Sequence, residues 1–161
     1  MPHPYGLVSY LVKNTITENG SVKRGVCQVE NGMLTKITES VIEKVDGQLV
    51  AKPLSGKEEF IVSPDDKVSM NLMLFTPSIF PYIEKKFPEF FEKNKDNLEK
   101  CEYLIPDVLF NSIEENYATV SVIETTSAWY GVTYKEDAEN VKAALKRLVD
   151  ENEYPSNLWE K

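Results

Sequence analysis

Histidine is nearly absent from this chain. The single residue, His3, lies at the extreme N terminus, which argues against serine–histidine or cysteine–histidine catalysis and leaves no histidine cluster for zinc. Cysteine is scarce as well. Cys27 and Cys101 stand alone, neither in a Cys-x-x-Cys pair, and both read as structural thiols rather than a disulfide. Long apolar runs are missing, since nothing approaches the roughly 18 residues of a membrane span. The opening Met1-Pro2-His3-Pro4-Tyr5 has neither a basic nor an apolar leader character, so the sequence reads as cytoplasmic. No Gly-x-Gly-x-x-Gly or Walker-type loop occurs. Positive charge is outweighed, with 18 Lys and Arg against 26 Asp and Glu for a net charge of −8. Nonspecific attraction to nucleic acid or anionic lipid is disfavoured over most of such a surface.

What is present suits an ordinary globular protein. The 161 residues are 42% hydrophobic and 27% charged, enough to bury a core, and they read as one domain spanning 1–161. Gly6 to Val12 is apolar, β-branched and aromatic, as in a buried strand. Asn31-Gly32 between two strand-like runs predicts a β-hairpin, because both residues tolerate the positive φ of a type I′ turn. Asp46-Gly47 predicts a second hairpin in the same way, and Lys67 to Phe75 a further strand.

Thr76-Pro77 has the form of a helix start, followed by apolar residues at helical spacing from Phe80 to Phe91. Pro81 and Pro88 predict two short helices, or one broken near Pro88. Pro106 opens another helix, and Thr119 to Ile123 alternates like a strand. A last helix is signalled by capping-box spacing at Thr133-x-x-Glu136 and an apolar stripe from Val141 to Val149. Carboxylates are abundant, but their spacing singles out no acid–base pair.

Several segments, in order, resemble the second half of sugar-phosphate nucleotidyltransferases, which join a sugar 1-phosphate to a nucleoside triphosphate and release pyrophosphate. Arg24-Gly25-Val26-Cys27 through Asn31-Gly32 to Ile37-Thr38-Glu39 resembles the family's glycine, strand, tight turn and strand ending in glutamate. The resemblance implies that Gly25 lets a sugar approach the backbone and that Glu39 accepts hydrogen bonds from its hydroxyls. Both roles suit these residue types. Ser40 replaces the lysine that usually reaches phosphate, a contact for which Arg24 or Lys36 is the nearest substitute.

Val68 to Phe75 is similar to the strand that usually reads Asn-x-Gly, making Asn71 a candidate polar contact. Glu102 to Asp107 resembles the segment that starts the next helix and shapes the floor of the site. Ala128 to Thr133 resembles a Trp-x-Asp-x-Gly motif whose aspartate binds magnesium, with Gly131 in the aspartate's place.

The resemblance implies an α/β fold: a mixed sheet with flanking helices, a partial nucleotide-diphospho-sugar transferase fold lacking its N-terminal nucleotide-binding strands. It implies Mg2+ for a full-length enzyme and none for this chain, because the Gly-x-Gly-x-Arg triphosphate loop and the metal aspartates have no counterpart here. The chain is therefore expected to be the sugar-binding portion of such an enzyme, catalytically inactive alone, with sugar 1-phosphate or nucleotide sugar as its ligand. The alternative is a noncatalytic binding module. Under either view an exposed sheet edge predicts a homodimer. Neither nucleic acid nor membrane is expected as a partner.

Overall fold

The computed structural model describes residues 1–16, 21–132, 135, 137–157 and 159. They divide into two compact units, Met1–Ser127 and Ala128–Lys161.

The first unit is built on seven strands: β1 (His3–Leu11), β2 (Val22–Glu30), β3 (Met33–Val45), β4 (Gln48–Pro53), β5 (Phe60–Val62), β6 (Lys67–Leu74) and β7 (Ala118–Thr125). Both hairpin turns sit where the sequence places them. Asn31 and Gly32 have φ of 51° and 78°, and Asp46 and Gly47 have 48° and 83°, the left-handed backbone that a two-residue turn between twisted strands requires.

The pairing order is β2-β6-β1-β7-β3-β4-β5, and β2 also pairs with β3. That last pairing joins the ends of the series, so β2, β6, β1, β7 and β3 form a closed five-stranded barrel, with β4 and β5 continuing outward from β3. All pairings are antiparallel except β1 with β7. The seam is β3 to β7. It consists of the pair Met33–Ser121 and a 2.8 Å bond from the Val122 N–H to the Gly32 carbonyl.

This architecture corrects the expected α/β fold with a mixed open sheet and flanking helices. The physical reason is that β2 is paired on both sides, by β3 and β6, while β3 reaches β7. An open sheet would leave two of these strands as edges; here the ring closes on itself. Among the described residues, the outermost strand is β5, only three residues long.

Strand alternation separates two cores. On β2, Val26 belongs to a cluster with Val12, Ile42, Ala51, Val62 and Val68, while the neighbouring Cys27 packs against the other cluster. That other cluster joins Tyr5, Leu7, Leu34 and Val120 of the strands to helices α1 (Ile79–Lys93) and α2 (Ile105–Glu114), through Ile79, Tyr82, Val108 and Leu109.

Helix α1 is continuous, so the break expected near Pro88 does not occur. Pro88 and Glu84 are both exposed, and the carbonyl left without its N–H partner can be hydrated. In the second unit, α3 (Asp137–Asp150) carries Asp137 and Glu139 in its first turn and Arg147 in its last, complementing the helix dipole. The capping box at Thr133 and Glu136 lies outside the described residues. No helix among those described is long and apolar enough to cross a membrane.

Candidate functional site

A single row of paired residues crosses the whole barrel. Glu39 on β3 pairs with Gly25 on β2, Gly25 with Ser69 on β6, Ser69 with Ser9 on β1, and Ser9 with Glu124 on β7. Residues directly paired in a ladder share a face. This row lies on the same face as Leu7, Cys27, Ile37 and Val122, so small and polar groups border the apolar core over which α1 and α2 pack.

Gly25 has no room for a side chain. A Cβ there would stand 2.7 Å from Glu39 Oε1 and 2.8 Å from Ile37 Cγ2. The carboxylate of Glu39 thus lies across the bare backbone of β2. Burial raises the pKa of Glu39, and the nearby charge of Asp107, in the first turn of α2, raises it further. Asp107 is itself raised by desolvation. Among the described residues neither carboxylate has a hydrogen-bond or ion-pair partner, so both retain acceptor capacity.

Beneath them, burial pushes the Cys27 thiol up to about 12, with Glu39's charge as a second cause. Its Sγ–H points to the Gly25 carbonyl at 3.5 Å. This thiol is a packing group, not a nucleophile. Ser9 is fully buried, and its hydroxyl lacks a hydrogen-bond partner among the described residues.

Arg24 and Asn71 are placed apart from the Glu39 carboxylate. Alternation puts Arg24 on the opposite face of β2, where its guanidinium donates to the Thr15 carbonyl, to Thr15 Oγ1 at 3.1 Å and to the Lys23 carbonyl at 2.7 Å. Lys36 shares that opposite side of β3 with Ser40. Ser40 is fully buried there, its hydroxyl donating to the Thr38 carbonyl at 3.1 Å, so a lysine at this position would have no route to solvent.

Asn71 is exposed, in a bulge of β6 where Met70, Asn71 and Leu72 together oppose Val8. Its φ of 61° is tolerated best by asparagine and glycine, and its N–H donates to Ser69 Oγ at 3.2 Å. Sequence reasoning missed Ser9 and Ser69. Nothing local marks them; only the strand pairing brings them into line with Gly25.

No protein-family model matches the chain, and no curated protein matches it.

The magnesium ion implied by the resemblance does not fit the residues at its expected place. Gly131 offers no ligating side chain, and a Cβ built there would collide with the Trp129 ring within the same unit. An aspartate at 131 would require the indole to move away. No step of the chemistry below runs through a metal.

Proposed function

We propose that the Gly25–Glu39 face binds the sugar of a sugar 1-phosphate or nucleotide sugar, as the sugar-side portion of a cytoplasmic nucleotidyltransferase would, and that this chain alone does not catalyse transfer. One observation carries the reading: the Glu39 carboxylate lies across the side-chain-free backbone at Gly25, with Asp107 nearby and, among the described residues, no protein donor on either acid.

Sugar hydroxyls are donors suited to such acids, and a carboxylate takes two at once. Gly25 lets the Glu39 carboxylate lie against the main chain of β2, in the space a side chain would otherwise fill. Transfer itself is another matter. Nucleotidyl transfer depends on positioning the triphosphate and neutralising its charge, and the sequence has no glycine-rich phosphate loop for that purpose.

Titration calorimetry with glucose 1-phosphate tests the reading. Weak binding is expected, reduced about tenfold or more by Glu39→Gln, since hydrogen bonds to a charged group contribute about 1.5–3 kcal/mol. Binding indifferent to Glu39→Gln, or robust pyrophosphorolysis of a nucleotide sugar by the purified chain, would overturn it.

A further inference from the structure

The cleft between α1 and α2 encloses about 300 Å³ and is lined by groups that the Gly25–Glu39 face does not use, apart from Asp107. One wall is aromatic. Tyr103 packs on Phe90 with ring centroids 4.8 Å apart and meets Phe87 edge-on at 5.5 Å, so its ring is held from two sides. The other wall is polar. Asp107 and Asn111 have no side-chain hydrogen-bond partner among the described residues. Towards the back, Tyr82 is only 3% exposed, with its hydroxyl beside the Glu115 carboxylate.

The charges narrow the choice of ligand. Lys86 lies in the cleft, but its ammonium is already held by Glu115 at 2.7 Å and Glu89 at 3.2 Å. The lining as a whole sets Lys86 and Lys93 against Glu89, Asp107 and Glu115. A cation meets Lys86, and an anion meets three carboxylates. A neutral ligand avoids both, and an aromatic platform facing an acid and an amide matches a ring with one apolar face and a rim of hydroxyls. The volume is at the small end for ligand sites, suiting one ring rather than a nucleotide sugar.

We propose that this cleft is a separate carbohydrate subsite, taking a neutral pyranose ring against Tyr103 with its hydroxyls on Asp107 and Asn111. The site stands on its own residues and does not require the nucleotidyltransferase reading; Asp107 alone is common to both.

The test is amide NMR of the full isotope-labelled chain titrated with methyl α-D-glucopyranoside. Saturable shifts are expected at Tyr103, Asp107 and Asn111. Affinity should fall about two- to twelvefold in Tyr103→Leu, the weight of a lost stacking contact. Asn111→Ala is exposed enough to leave the fold intact and should weaken binding similarly; it decides the matter if Tyr103→Leu unfolds. In Glu39→Gln the glucoside-induced shifts at Tyr103 and Asn111 should persist while glucose 1-phosphate binding falls about tenfold or more, which separates the two sites. No shift up to about 50 mM glucoside, weaker than any useful affinity, would overturn the proposal. So would shifts confined to β2 and β3, or affinity unchanged in Asn111→Ala.

Discussion

Glu39 occupies the space that a side chain at Gly25 would need: Oε1 lies 2.7 Å from where a Cβ on Gly25 would be. The two residues are paired across the β2–β3 ladder, so their backbones are held side by side.

Gly25→Ala should therefore act twice. The flexible Glu39 carboxylate can swing away, but the methyl also meets Ile37 Cγ2 at 2.8 Å, and a β-branched side chain in a strand has little freedom. A loss of about 1–3 kcal/mol in urea denaturation is expected, as for other overpacked positions, together with loss of glucose 1-phosphate binding. A variant as stable as the parent would show that Ile37 yields freely.

The pH dependence of Glu39 has a definite sign. Burial and Asp107 raise its folded pKa above the unfolded value, so between those two values the folded state holds more protons. Stability then falls as pH rises through that window. Glu39→Gln removes the effect. It should raise the melting temperature relative to the parent at neutral pH, and the gain should vanish below the ordinary glutamate pKa. A constant difference across the range would contradict the burial argument.

Thiol labelling offers an independent check on the same region. Cys27, pushed up to about 12 by burial, should resist an aromatic disulfide reagent in the native protein at mildly alkaline pH. It should react promptly after unfolding. Fast native labelling of Cys27 would mean that the row above it opens.

Ser40→Lys tests whether this position can carry a charge. The position is fully buried, on the side of the apolar cluster of Val26 and Ile42. Uncompensated buried charge costs about 3–5 kcal/mol, so a large drop in the urea midpoint is expected. If the variant kept its stability, the backbone near Ser40 would have to open towards solvent.

The local turns of this fold are legible in the sequence, and its closure is not. Asn31-Gly32 and Asp46-Gly47 announce their hairpins because positive φ is a property of those residues themselves. The barrel depends on β2 meeting β6 and on β3 meeting β7, pairings between strands more than 40 residues and 70 residues apart, respectively, and no residue type encodes a distant partner. Pro88 misleads for a related reason: its cost depends on whether the freed carbonyl reaches water, which only exposure decides. At the site, Gly25, Glu39 and the segment containing Asp107 stand out in the sequence by resemblance. Ser9 and Ser69 become visible only once the strands are paired.

The narrow seam between β3 and β7 also bears on how the protein comes into being. Among the described strands β7 comes last in the chain, yet it is the neighbour of both β1, which comes first, and β3. A nascent chain released through α2 can form its hairpins but must wait for Ala118–Thr125 before the ring exists. Long-range pairing of this kind slows folding. Until that strand arrives, the parallel edge of β1 is open to any passing extended segment, which makes the interval before β7 emerges a period of exposure to misassembly.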